Sequence, residues 1–144
     1  MGETRQDENR TIKTPHFGEL EIDKSHIFEF PEGMLGFENL QSFVLISEVE
    51  TEPFKWLISL DKPDIGFPLL SPWYLDVNYK PGRGIDLDRQ VVFVVITLED
   101  EKGYMTANLK APVIMDVDSQ EGEQIIIPSD KYKTNFVIPA RKKK

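Results

Sequence analysis

The sequence predicts an all-β fold, a small antiparallel β-barrel-like domain with one to three short helical turns. Three observations carry this. Apolar residues recur at period 2 from residue 16 onward, no stretch sustains a period of 3.6 over three turns, and many of the 10 prolines stand at the boundaries of short apolar runs. At 144 residues the chain is one ordinary domain, able to bury roughly 70% of its unfolded surface around a single core.

Residues 1–15 are polar and aperiodic and are expected to fray as a disordered tail, residues 16–140 to form one domain, and residues 141–144 a basic tail. The first strand is expected at Phe17–Ile22, where Leu20 and Ile22 alternate with Glu19 and Glu21. Asp23-Lys24-Ser25 reads as a turn into His26–Phe30, where Phe28 and Phe30 share a face. Phe43–Ile46, Phe54–Leu60 and Phe67–Leu70 follow, each bounded by turn residues: Pro53, Asp61-Lys62-Pro63 and Ser71-Pro72.

Val91–Leu98 is apolar at both alternating sets, which predicts a central strand covered on both faces. After Glu99–Gly103, Tyr104–Leu109 is expected to return as its hairpin partner. Pro112–Val117 and Gln124–Ile127 suggest a second hairpin around the loop Asp118–Glu123. Short helical turns are expected at Phe37–Gln41, after Ser71-Pro72, and at Pro128–Tyr132.

The net charge is −8, and its distribution sharpens it. Residues 16–140 hold 10 basic and 22 acidic side chains, a balance of −12. Such a body repels phosphate backbones, since nucleic-acid affinity rests on Lys and Arg displacing counterions. A basic protein partner fits the field better, and a solubilising surface is the plain alternative. No apolar run approaches the roughly 20 residues that span a bilayer. The opening MGETRQDENR is too polar for a signal peptide, so a cytoplasmic location is expected.

Catalytic chemistry is sparsely supplied. The chain has no Cys, which excludes disulfides and thiol nucleophiles, and its two histidines, His16 and His26, lie in no nucleophile motif. Asp116-Val117-Asp118 resembles the start of a calcium loop, but Gly122 falls one place late and Ile127 stands where the bidentate Glu belongs. Pro63-Asp64 with Asp100-Glu101-Lys102 echoes a metal-dependent nuclease, yet the latter group sits beside Gly103 in an expected hairpin tip. No Gly-rich phosphate loop is present. The acids gather in expected turns, at Glu48, Glu50 and Glu52, at Asp86 and Asp88, at 99–101 and at 118–123.

Four ordered blocks carry a family resemblance. Phe30-Pro31-Glu32-Gly33-Met34-Leu35-Gly36-Phe37-Glu38 resembles the FPEGLPGFE signature of the FliW family of flagellar assembly factors, with Leu35 in place of the usual Pro, and it follows a similar opening strand at Phe17–Ile22. Phe54–Ser59 through Pro63 and Phe67 to Pro72 is similar to the family's second block, although Pro68 interrupts the strand. Thr106–Ile114 resembles its TANL-x-APIVI strand pair, and Gln124–Ile127 with Tyr132 its closing strand.

The resemblance, over about residues 16–133, implies a β-barrel-like cytoplasmic protein that binds proteins and catalyses nothing, with no cofactor. The implied partners are flagellin and CsrA, the RNA-binding translational repressor, with no direct nucleic acid and no membrane. The family motif implies scaffold roles for Phe30, Pro31, Gly33, Gly36, Phe37, Trp56, Pro63, Phe67, Asn108 and Pro112. Partner contacts are expected at Glu48, Glu50, Trp73, Tyr74, Glu99 and Asp100, because acids and aromatics on loops reach a partner without disturbing the core. A carboxylate-based metal-dependent hydrolase, or a β-barrel binding module with an unrelated protein partner, are the alternatives.

Overall fold

Alternating apolar residues make strands that must each cover a face, and the chain meets this by closing a barrel and then covering part of its outside. A computed structural model describes residues 9–15, 17–99 and 101–139. It contains β1 (Asn9–Thr14), β2 (Gly18–Asp23), β3 (Ile27–Glu29), β4 (Ser42–Ser47), β5 (Lys55–Ser59), β6 (Gly66–Leu70), β7 (Gln90–Thr97), β8 (Thr106–Ala107), β9 (Val113–Asp116), β10 (Glu121–Gln124) and β11 (Phe136–Val137). Strands β3, β4, β5, β6, β7, β9 and β10 join side by side into a seven-strand ring. Six joins are antiparallel, and the ring closes where β10 meets β3 in a parallel contact, Glu121 opposite Glu29.

Inward residues from around the ring fill the barrel: Phe28, Phe43, Leu57, Leu69, Val113 and Met115, with Met34 and Leu40 contributed by the segment between β3 and β4. The outside is covered twice. The β1–β2 hairpin lays Ile12, Leu20 and Ile22 over Val44, Ile46, Trp56 and Ile58. On the next part of the wall, Leu70, Val94 and Ile96 lie under Tyr79, Leu109, Ile127 and Tyr132. Strand β7 is thus covered on both faces, with Val91, Phe93 and Val95 toward the barrel interior.

Several expectations need correction. Part of the tail expected to fray is β1, six residues paired along β2 from Asn9 opposite Asp23 to Thr14 opposite Gly18. Ile12 and Thr14 are its buried positions, and Phe17 N–H donates to Thr14 Oγ1 at 2.9 Å across the turn. The second hairpin returns at Glu121–Gln124, not Gln124–Ile127, because Asp116 caps a tight turn that ends at Gln120. Phe37–Gln41 and Pro128–Tyr132 form turns and no helix. The three 3-10 turns lie at Lys24–His26, Val49–Thr51 and Pro72–Tyr74, and only the last, with proline at its start, was foreseen as helical. Residues 141–144 lie outside the described residues.

The segment 30–41 shows why its residues are needed. Phe30 is fully buried and meets Phe43 edge to face at 5.2 Å. Gly33 has φ 69°, and a Cβ there would come within 2.6 Å of Glu38 Cα, so only glycine fits. Phe37 packs edge-on to Phe67 at 5.3 Å, and the Pro31 carbonyl accepts from Gln41 Nε2 at 2.9 Å. Further on, Asn108 Oδ1 accepts from the Lys110 and Ala111 amides at 3.2 and 3.1 Å, turning the chain into the fully buried Pro112.

Candidate protein-binding surface

The expected contact residues do not share one face. The β4–β5 ladder ends at Ser47 opposite Lys55, and Lys55 lies opposite Leu69 of β6. The connection bearing Glu48 and Glu50 therefore sits at the same end of the wall as Trp73 and Tyr74, which follow β6. Glu50 is exposed and Glu48 is half-buried. Trp73 is tied into the fold: its Nε1 donates to the Tyr79 carbonyl at 3.0 Å and its ring meets Tyr79 edge to face at 6.0 Å. Tyr74, 68% exposed, is the free aromatic of the pair.

Glu99 lies at the opposite end, just past β7, where Ile58 of β5 stands opposite Gly66 of β6. Asp100 lies outside the described residues. Glu99 contributes to the wall of a largely apolar groove of about 640 Å³, lined also by Phe17, Trp56, Gly66, Phe67 and Pro68. Pro63 is part of the same lining.

The groove has a backbone cause. Strand β6 pairs with β5 over four positions, from Gly66 opposite Ile58 to Leu69 opposite Lys55. It pairs with β7 over only two, Leu69 opposite Val95 and Leu70 opposite Val94. Continuing that register would set Pro68 opposite Ile96, and proline has no N–H for the next rung. The paired register ends at Leu69, and the groove beside it reaches Phe67 and Val95 of the barrel interior. The floor on the β5 side is Trp56, its Nε1 donating to Thr51 Oγ1 at 3.1 Å and its ring meeting Phe17 at 5.3 Å.

Titratable groups elsewhere serve the fold. Asp116 Oδ1 accepts from the Ser119 and Asp118 amides at 3.0 and 2.9 Å, and Arg89 Nε reaches Oδ2 at 2.9 Å. These contacts, the Ser119 amide foremost, hold its carboxyl below the usual range despite partial desolvation. Asp23 is lowered in the same way by the Ser25 amide and hydroxyl. Burial pushes the Tyr79 phenol well above its ordinary value, and the neighbouring Tyr132 adds to this. Among the described residues no three His, Cys, Asp or Glu side chains are grouped to hold a metal ion, and no helix is long and apolar enough to cross a membrane. His26 is exposed, and His16 lies outside the described residues.

The sequence places Phe17 and Leu98 in strands and not in a groove, because periodicity marks strand faces and not where the pairing of neighbouring strands ends. Pro68 was the available signal.

Comparison with known proteins agrees with this architecture. The sequence pattern of the FliW protein family matches residues 11–138. The flagellar assembly factor FliW of Caldanaerobacter subterraneus subsp. tengcongensis is 35% identical over 131 residues, covering 84% of this chain and 87% of that protein. The flagellar assembly factor FliW of Carboxydothermus hydrogenoformans is 34% identical over 140 residues, covering 91% of this chain and 90% of that protein. A crystal structure of the flagellar assembly factor FliW superposes with a TM-score of 0.77 at 30% identity, over 92% of this chain and 99% of that one. With a family match across the barrel and both of its outer covers, the chain belongs to the FliW family.

Proposed function

We propose that this protein is a flagellar assembly factor that acts by binding alone, in the cytoplasm. It holds flagellin and, in exchange, CsrA, so that free flagellin level controls CsrA's repression of flagellin translation. The observation that carries this reading is the family match over residues 11–138, together with relatives named as flagellar assembly factors along most of their length. The charge of the body supports the CsrA half: an RNA-binding protein presents a basic surface, and a body of −12 attracts it while repelling RNA within about 8 Å at physiological salt.

The contacts we assign are Glu48, Glu50, Trp73 and Tyr74 at one end of the wall and Glu99 at the other, with Asp100 next to Glu99 in sequence. Two separate ends allow two partners to be recognised by different surfaces. Calorimetry with purified CsrA and with a C-terminal flagellin segment tests the proposal. Heat of binding to each, with one partner displacing the other, is the expected result. Silence with both at low salt rejects it.

A further inference from the structure

We propose that the outer edge of β2 is a site of strand addition, which takes one extended, lysine- or arginine-bearing segment of a second protein and lays it over β4. The function proposed above names partners and no mode of binding. This inference rests on the geometry and charge of the β1–β2 hairpin alone.

The edge is defined by main chain. The β1–β2 hairpin is a sheet of two strands, so each strand has a neighbour on one side only. An antiparallel ladder uses the N–H and C=O of alternate residues, and the residues between them point to the other edge. Among the described residues, no backbone bond beyond the hairpin's own ladder reaches Gly18–Asp23. Beside this edge runs a groove of about 300 Å³, lined by residues 20–23 of β2 and by residues 44–48 on the β4 side. An added strand lies about 4.8 Å from its neighbour, takes affinity from main-chain hydrogen bonds and takes specificity from pockets for alternate side chains.

Strand β2 dictates the pattern of its guest. Leu20 and Ile22 pack with Val44 and Ile46 of the wall, while Glu19 and Glu21 are exposed on the opposite face. A strand added alongside sets one alternate row of side chains beside the first pair and the other row beside the acids. Across β1, Glu19 stands opposite Lys13, but Glu21 stands opposite Thr11 and meets no cation there. The lining of the groove carries three acids, Glu21, Asp23 and Glu48, against His26. Complementarity therefore favours Lys or Arg at the outward positions of the guest and apolar side chains at the inward ones. The same acids disfavour a second copy, since β2 against β2 would set carboxylates opposite carboxylates. The other free edges suit this guest less: β1 carries Arg10 and Lys13, and β11 is two residues long and closely followed by Pro139.

The test uses the full chain and a nine-residue peptide alternating Val and Lys, read by fluorescence anisotropy and by amide hydrogen exchange. With peptide at about ten times its dissociation constant, alternate amides of Gly18–Asp23 should exchange about tenfold more slowly. Two methylated peptides are the controls, one bearing N-methyl groups on its Val residues and the other on its Lys residues. Only one of these sets of amides faces β2, so the two peptides should differ in affinity by about tenfold or more.

Glu21→Lys with Glu48→Lys should weaken the parent peptide about tenfold and flatten its salt dependence, with an unchanged melting temperature. Glu21→Gln alone should act in the same direction, which keeps the charge test decisive if the double variant fails to fold. No binding, equal affinity of the two methylated peptides, or protection that arises in β1 or β11 and not in β2 overturns the proposal. So does protection of β2 amides that grows with protein concentration in the absence of peptide, which would make a second copy the occupant. Failure of CsrA and flagellin to bind leaves these outcomes unchanged, so the two readings fall separately.

Discussion

The ring of Phe30 occupies the space where Gly122 lacks a side chain: a Cβ built on Gly122 would meet the Phe30 Cζ atom inside any contact real atoms adopt. Gly122 lies in β10 opposite Met115 of β9, and Phe30 follows β3, so this one fit holds the two strands that close the ring. Gly122→Ala is expected to destabilise by about 1–3 kcal/mol through overpacking. Urea unfolding should show a lower midpoint with an unchanged slope.

Tyr79 donates its hydroxyl to the Leu109 carbonyl at 2.7 Å in a buried setting, and Tyr132 packs 4.6 Å from its ring. Tyr79→Phe leaves that carbonyl unpaired and should cost about 1–3 kcal/mol. The phenol also makes stability depend on pH. Its folded pKa lies above the ordinary 10.0, so the folded state keeps a proton that the unfolded chain releases. Stability from this group is whole below pH 10.0 and falls as pH rises beyond it. Absorbance at 295 nm should show one tyrosine that ionises only as the protein unfolds.

Asp116 acts at the acid end. Its folded pKa lies below the ordinary 3.8, so its contribution is present above that pH and is lost as pH falls through the folded value. Asp116→Asn keeps an acceptor for the Ser119 and Asp118 amides and removes the charge facing Arg89. Its acid unfolding transition should move to lower pH dependence than the parent's, while Asp116→Ala loses the turn and lowers stability at every pH. Circular dichroism between pH 2 and 6 checks both.

Reversing Glu99 and Asp100 to Lys is expected to slow association with CsrA several-fold at low salt, with the two rates converging as salt rises. Stopped-flow fluorescence reads this directly. Unchanged rates would remove that tip from the interface. Tyr74→Ala, at the far end of the wall, should leave the association rate intact and speed dissociation, as loss of a short-range aromatic contact does.

The strands that were legible in the sequence, β2 to β9, are those marked by apolar alternation, a continuous apolar run or a hairpin return. Two that were not, β1 and β10, have physical reasons. β1 reads N-R-T-I-K-T, and from Arg10 to Thr14 it buries Ile12 and Thr14 alone, so its pattern is too thin to separate from a tail. β10 reads E-G-E-Q, and its strand character comes from the Phe30 ring over Gly122, a contact 92 residues away in the chain. The more apolar Ile125–Ile127 was the attractive choice. That segment runs beside the chain instead, its Ile125 and Ile127 amides donating to the Pro112 and Lys110 carbonyls at 3.0 and 2.8 Å. The groove was illegible for another reason: it depends on where two strands of a ring stop pairing, and only the Pro68 clue is local.

The single parallel contact between β3 and β10 is expected to form late as the molecule assembles. Every other join in the ring links strands that are neighbours or near neighbours along the chain, whereas this one brings Glu29 to Gln120 and Glu121 across most of the domain. Gln120 does much of the joining: its carbonyl accepts from the Glu29 amide at 2.9 Å and its Nε2 donates to the Ile27 and Lys24 carbonyls at 2.8 and 2.9 Å. Loop closure over such a separation comes late, after the meander from β3 to β7 has formed. Gln120→Ala should therefore quicken unfolding and leave the folding rate unchanged in a chevron plot, and a slower folding limb would contradict it. On that expectation the ring is sewn shut last, and this seam is the first to give.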